Sequence, residues 1–292
     1  MQFVRRLCSL WLVVGLSACT WHVREDNIVI PRAAPSADLA ALRTQLPAYR
    51  IEETRIAAAD GAQLYSLRFL RSDAVATVLY FGGNGYTVAK HAATSAKAYA
   101  EAPVNFVLVD HRGYGASTGT ASLEALLTDA TTVYDSLRAE PELGAVPLIV
   151  HGHSLGSFMA GQVAAARQLD GLILESSVTN FEDWGAYMRS RQKLWARILV
   201  RRVAPAGALA GQGNQQVVAA LDEPVLFVAG ENDTATPPRF AEALYQATPQ
   251  PEGRKQLLIV PARDHTNAAD SPEFRHALAG FLTEQVRPRP AG

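Results

Sequence analysis

"LIVHGHSLGS", residues 148–157, is the stretch on which the reading of the chain turns. An apolar run ends in a serine set between Gly152 and Gly156, and a second run carrying Phe158, Met159 and Val163 follows at helical spacing. The pattern is G-x-S-x-G between a strand and a helix, which is the context of a nucleophile elbow. Crowding explains the glycines. The turn holds Ser154 in a strained backbone conformation so that its Oγ projects, and side chains at the two flanking positions would collide. The competing reading is a plain glycine-rich turn; the strand before and the helix after weigh against it.

Outward from the elbow, short apolar runs alternate with helix-period segments. The runs are "TVLYF" (77–81), "NFVLVD" (105–110), "PLIVHG" (147–152), "GLILES" (171–176), "PVLFVAG" (224–230) and "KQLLIV" (255–260). The clearest helix between them has Leu123, Leu126, Leu127, Ala130, Val133, Tyr134 and Leu137 on one face. Continuous apolar strands separated by helices predict an α/β fold with a mostly parallel central sheet covered on both faces. Ahead of them, "YRIEETRIAAADGAQLYSLRFLRS" (49–72) alternates apolar and polar residues on either side of Asp60-Gly61, which predicts an antiparallel N-terminal hairpin at one edge. The domain is expected over 48–288, and the long stretch between Ser176 and Glu223 predicts a small helical cap insertion at about 177–222.

In such a sheet, ligands collect beyond the carboxyl ends of the strands. A serine hydroxyl is a poor nucleophile until a base takes its proton and an acid orients that base. The chain supplies both downstream. "VLFVAGENDTATP" (225–237) sets Asp233 just past one strand, and "LLIVPARDHTN" (257–267) sets His265 just past the next, 79 and 111 residues after Ser154. The candidate catalytic residues are therefore Ser154, Asp233 and His265. Each has rivals. His151 and His153 flank the serine, but neighbours in an elbow point away from its Oγ, so both are read as packed beneath the turn. His276 falls in a C-terminal helix, as a surface or core residue. Glu175 is the alternative acid, and Asp264 shares a loop with His265 but is poorly placed for the far ring nitrogen.

The order Ser154, Asp233, His265, each after a strand, resembles the α/β-hydrolase superfamily. "YFGGNGY" (80–86) and "DHRGYGASTG" (110–119) are further similar to its BEM46-like (ABHD13-like) branch, and the resemblance runs over roughly 60–286. It implies a serine hydrolase of esters, thioesters, lipids or peptides, working through an acyl-enzyme without a cofactor. It also implies an oxyanion hole made by the backbone N–H groups of Leu155 and Asn84, donors typically worth about 3–4 kcal/mol each in the transition state. Asp233 is preferred to Glu175 because "GENDTATP" follows the family's Gly-x-x-Asp pattern. Gly82 stands where many relatives carry histidine, which leaves open what stiffens that loop. Asp110 and Arg112 are expected to brace the "DHRGYG" loop.

The 27 basic and 28 acidic residues give a net charge of -1, which offers no field to nucleic acid. No Cys/His cluster and no H-E-x-x-H pattern calls for a metal. The beginning of the chain differs in kind. In "MQFVRRLCSLWLVVGLSACT", Arg5 and Arg6 precede an apolar stretch from Leu7 to Leu16 that is too short to span a bilayer and suits a signal peptide. Its end, Leu16-Ser17-Ala18-Cys19, resembles the lipobox of bacterial lipoproteins. That resemblance implies loss of Cys8, lipidation of Cys19 and attachment to the bacterial cell envelope, with Thr20 favouring the outer membrane. Residues 20–47, with Pro31, Pro35, Pro47 and one short helix near 39–46, read as a tether.

Within the insertion, "WGAYMRSRQKLWARILVRRV" (184–203) interleaves Tyr187, Met188, Leu194, Trp195, Ile198 and Leu199 with Arg189, Arg191, Lys193, Arg197, Arg201 and Arg202. On a helix, the apolar residues form one stripe and the remainder is basic. The plain expectation is a cap helix with its stripe buried on the domain; the sharper one is contact with anionic lipid or a share in an acyl-chain pocket. The sequence therefore predicts a lipid-anchored serine hydrolase acting on a small-molecule or lipid acyl substrate. A serine peptidase and a non-catalytic envelope lipoprotein are the alternatives.

Overall fold

The computed structural model describes residues 19–286. The signal-peptide expectation falls on residues 1–18, outside the described residues, while Cys19 opens the first strand and is exposed. The strands, in chain order, are β1 (Cys19–Val23), β2 (Arg50–Ala57), β3 (Gln63–Leu70), β4 (Ala76–Phe81), β5 (Val104–Val109), β6 (Leu148–His153), β7 (Gly171–Glu175), β8 (Val200–Pro205), β9 (Val225–Gly230) and β10 (Lys255–Val260). The helices are α1 (Leu39–Gln45), α2 (Val88–Tyr99), α3 (Leu123–Ala139), α4 (Pro141–Gly144), α5 (Leu155–Ala166), α6 (Phe181–Ser190), α7 (Leu194–Leu199), α8 (Gln215–Ala219), α9 (Arg239–Ala247) and α10 (Pro272–Gly280).

Eight strands form one sheet in the order β10-β9-β7-β6-β4-β5-β3-β2. The six apolar runs all become parallel strands, with β10 at one edge, and the predicted hairpin becomes β2 and β3, antiparallel to one another, with β3 antiparallel to β5 and β2 at the other edge. Every residue of β4, β5 and β9 is buried, as strands covered on both faces require. Alternation along β4 divides the core, with Leu79 and Phe81 facing α3, α5 and α9, and Val78 and Tyr80 facing α2 and α10. Fully burying each such side chain contributes roughly 1.5–3 kcal/mol. Helix α3 runs as its periodicity predicts, started by the Ser122 side chain, which accepts from the Ala125 N–H at 3.1 Å. Helix α5 is apolar on nearly every side because α3, the sheet and α8 enclose it.

Two expectations need correction. Residues 20–47 do not hang free as a tether: Val23, Val29, Ala37, Leu42 and Leu46 are buried in the core. Backbone bonds hold the segment down, including Gly115 N–H to Arg32 O at 2.8 Å and Ala34 N–H to Gly115 O at 2.9 Å. The Glu25 carboxylate also accepts from the Leu123 N–H at 2.7 Å, capping α3 from 98 residues away. Prolines suggested a linker, but five spaced apolar side chains outweigh that composition once a core is available to receive them.

Residues 184–203 are not one helix either. Helix α6 stops at Ser190, α7 spans only Leu194–Leu199, and residues 200–205 form β8, which pairs in parallel with β1 in a separate two-stranded sheet. The β-branched Val200 and Val203 favour the strand, and β1 offers the edge that a lone helix reading could not foresee. The Arg189 guanidinium fixes the reversal by donating to the carbonyls of Val200 at 2.9 Å and Arg197 at 3.1 Å.

Candidate active site

The site is assembled at the carboxyl ends of β4, β6, β7, β9 and β10, where an open α/β sheet presents its loops. Ser154 joins β6 to α5 at φ 52° and ψ −116°, a left-handed backbone that costs on the order of 1–3 kcal/mol for a side chain other than glycine. Its surroundings enforce it. The Ser154 N–H donates to Glu175 O at 3.0 Å, and its own carbonyl accepts from the Ser157 N–H at 3.0 Å and the Ser157 hydroxyl at 2.6 Å. The glycines are obligatory. A Cβ on Gly156 would overlap the Phe81 carbonyl, and one on Gly152 would come 2.6 Å from Ser157 Cα.

His265 lies five residues beyond β10, and its Nε2 stands 2.9 Å from Ser154 Oγ. Its Nδ1 donates to Asp233 Oδ2 at 2.8 Å. Asp233 is buried and further held by the N–H groups of Ala235 and Thr236 at 2.8 Å each and by the Thr236 hydroxyl at 2.7 Å. Burial pushes its pKa up, but the hydrogen bond and charge of His265 and the Thr236 donors pull it down further, so the carboxyl titrates below its ordinary value. The three side chains chosen from the sequence are thus brought together, in the order hydroxyl, imidazole, carboxylate.

The rivals fall elsewhere. Glu175 lies behind the elbow, with Oε2 3.2 Å from His151 Nε2 and Oε1 accepting from the Ala269 N–H at 3.0 Å. Burial raises its pKa, and the His151 and His153 rings with the Ala269 N–H more than offset that. The other nitrogen of His151 bonds Tyr99 Oη, so this ring is spoken for. Asp264 binds its own turn, accepting from the Thr266 N–H at 2.9 Å, and His276 is exposed on α10. Arg112 pairs with Asp129 through two bonds at 2.7 and 2.8 Å, and Asp110 accepts from the Val88 and Ala116 N–H groups at 2.7 and 2.9 Å, which braces the loop as expected.

The loop after β4 carries Asn84. Its side chain accepts from the Ile30 N–H at 3.2 Å and the Tyr114 hydroxyl at 3.1 Å, while the His111 ring donates to Gly82 O at 2.7 Å. These three bonds stiffen the loop around Gly82. A Cβ at Gly82 would strike the Tyr86 ring that fills the space. Leu155 opens α5, and the N–H of a first helical residue has no acceptor within its helix. Donors of this kind stand ready for a developing negative charge on a substrate oxygen.

Beside Ser154 lies a pocket of about 260 Å³. Its walls include Ile28, Leu155, Phe158, Val178, Phe181 and Trp184, with Asn84, Thr236 and His265 as polar members. Phe158 and Phe181 stack at 4.7 Å, and Trp184 is fixed by donating its indole N–H to Ala235 O at 3.2 Å. Sequence reasoning missed several parts of this arrangement. Ile28 comes from the supposed tether. Thr236 was legible only as part of "GENDTATP". His153 was read as packing, yet its Nε2 donates to the backbone carbonyl of His265 at 2.7 Å. Among the described residues no group of His, Cys, Asp and Glu forms a metal cluster.

Comparison with known proteins places this geometry in context. A family model described as serine aminopeptidase, S33 matches residues 72–220, just over half of the chain, and one described as TAP-like protein matches 198–291. Protein bem46 of Schizosaccharomyces pombe is 25% identical over 282 residues, covering 91% of this chain and 88% of that protein. The lysophosphatidylserine lipase ABHD12 of Danio rerio is 28% identical over 253 residues, covering 78% of this chain. The chain spans 63% of that lipase's length, and 60% of that of human protein ABHD12B, to which it is 28% identical. Among solved structures, the Pyrococcus furiosus esterase Pf2001 superposes with a TM-score of 0.69 over 89% of this chain and 99% of that one at 14% identity, a likeness of fold.

Proposed function

The chain belongs to the serine aminopeptidase S33 family of α/β-hydrolases, as a BEM46-like member, and is a hydrolase; from that premise we propose that it cleaves carboxylic esters of apolar acyl groups through Ser154. In this mechanism His265 Nε2 takes the Ser154 proton as Oγ attacks the acyl carbonyl. The N–H groups of Leu155 and Asn84 hold the oxyanion. The leaving alcohol departs with the proton from His265, and the acyl group stays on Oγ. A water, deprotonated by His265, then attacks the acyl-enzyme, and the proton returns to Ser154. Asp233 keeps the ring oriented and stabilises its charged form at both steps.

The observation that carries this reading is the 2.9 Å contact of Ser154 Oγ with His265 Nε2 at the mouth of an apolar pocket. The pocket also supports a choice of substrate. The family description favours a second reading, removal of an N-terminal residue from a peptide. Such a substrate brings an ammonium group that needs a carboxylate, and no Asp or Glu lines the pocket among the described residues. A monoacyl lipid or a medium-chain ester satisfies the pocket without that partner. Turnover of p-nitrophenyl butyrate without turnover of aminoacyl anilides is the expected result, and the reverse preference would give the peptidase reading its place. A scaffold without activity would fail to react with a fluorophosphonate probe.

Lipid attachment at Cys19 forms part of this proposal, together with a place at the bacterial cell envelope. It is supported by the Leu16-Ser17-Ala18-Cys19 sequence and by the exposure of Cys19. Incorporation of labelled palmitate into the chain, abolished in Cys19→Ala, is the test.

A further inference from the structure

Of the seven large hydrophobic residues that stand exposed among the described residues, five gather on one unit, the cap and the strand beside it. Leu194, Trp195, Ile198 and Leu199 are 72%, 64%, 57% and 53% exposed on α7, and Trp21 is 56% exposed on β1. Their positions, two adjacent pairs four residues apart, put the α7 four on a single face. That face is turned to solvent, against the expectation that the stripe would be buried. Single exposed hydrophobics are ordinary, but four on one face of a short helix mark a contact surface.

Charge states what that surface meets. Residues 184–221 contain six Arg and Lys and no Asp or Glu, in a chain whose net charge is only -1. Lys193, Arg197, Arg201 and Arg202 are exposed and form no ion pair among the described residues. The acidic residues of the cap, Glu182, Asp183 and Asp222, lie outside this stretch, and α7 with its flanks carries a single sign around an apolar centre, as a face that meets anionic headgroups would. No helix among the described residues is long and apolar enough to cross a membrane, so the fitting geometry is a helix lying in the surface.

We propose that α7, together with Trp21 on the strand paired with β8, docks this protein onto an anionic bilayer, the apolar side chains entering the acyl boundary and the flanking guanidinium groups pairing with lipid phosphates. The placement has a use. Helix α6 lies so tightly on β8 that a Cβ on Gly185 would come 2.6 Å from the Val203 carbonyl oxygen, and the same helix supplies Phe181 and Trp184 to the Ser154 pocket. The docked face and the pocket wall therefore belong to one packed unit. Contact with lipid would hold the site at the layer where acyl esters are concentrated. The inference stands on exposure and charge alone and does not require Ser154 to act.

The test uses the full chain carrying Cys19→Ser, so that no acyl anchor can form, and Trp11→Phe, so that the segment outside the described residues does not report. Vesicles of phosphatidylcholine, with and without phosphatidylglycerol, carry bromine on the acyl chains as a fluorescence quencher. Quenching is expected with phosphatidylglycerol present and should fall when Trp195→Phe and Trp21→Phe are added. Two further sets, L194S/W195S/I198S/L199S and R197Q/R201Q/R202Q, should each weaken vesicle binding by about tenfold or more. A far-UV circular dichroism spectrum and a Tm unchanged in both would show that they fold. Binding equal to the parent in both sets, or quenching indifferent to loss of Trp21 and Trp195, would overturn the proposal. So would a dimer in vesicle-free sedimentation that the four-serine set dissolves, since a second copy would then cover the face.

Discussion

Ser154 and His265 stand 2.9 Å apart across the top of the sheet although 111 residues separate them in sequence. The parallel register brings them together: β6 and β10 point the same way, so the loops that follow them open on the same side. If the hydroxyl is the nucleophile, Ser154→Ala removes fluorophosphonate labelling and lowers kcat by about 10⁴-fold or more, with little change in Tm. Full labelling of this variant would place the nucleophile elsewhere.

The two buried carboxylates near the elbow should separate cleanly in mutants. Asp233→Asn leaves His265 with the wrong partner and is expected to lower kcat by about 10³- to 10⁴-fold while binding is kept. Glu175→Gln acts on the fold, because it replaces a buried carboxylate acceptor beside His151 with an amide, and a cost of about 1–3 kcal/mol is expected in denaturant unfolding. Equal losses of activity in both variants at matched stability would contradict this division.

Acid should act on the same carboxylate in a defined direction. Asp233 titrates below its ordinary value in the folded protein, so its contribution to stability is full above about pH 4 and is lost as pH falls through the depressed value. The stability gap between the parent and Asp233→Asn should therefore be widest near neutrality and close in acid. Urea unfolding of both proteins at pH 7, 4, 3 and 2 measures it; a gap that stays open below pH 4 is incompatible with the pairing described.

If His265 is the base, His153 is expected to position it rather than to react. Burial lowers its pKa, which keeps the ring neutral, and its Nε2–H holds the His265 carbonyl at 2.7 Å. His153→Phe should lose that bond, worth about 0.5–1.5 kcal/mol, and slow turnover by about three- to tenfold at unchanged KM. The alkaline and acid limbs of the rate profile should stay where they are, since the imidazole that titrates with the reaction is not this one. A shifted limb would make His153 a participant.

What the sequence disclosed followed from where its information is local. The parallel strands were legible as apolar runs, most clearly β4, β5 and β9, whose every residue is buried, and the elbow was legible because Gly152 and Gly156 answer a steric demand made within five residues. Asp233 and His265 could be found because strand ends are marked in the chain. The partnership of β1 with β8 could not, since neither strand is long or strongly alternating and each exists because the other is present. For the same reason 184–203 passed for one helix, and the prolines of 20–47 hid the burial of Val23, Val29 and Leu42. His153 was invisible as a support because its acceptor is a backbone carbonyl, which leaves no trace in side-chain spacing.

The folding of residues 20–47 onto the body of the protein sets a range of action. With Cys19 already the first residue of a paired strand, a lipid carried there would leave no leash to pay out. Such an enzyme could not sweep the surrounding water or reach an opposing membrane. It would graze only the patch of lipid under its own footprint, and its supply of substrate would depend on lateral diffusion within that leaflet.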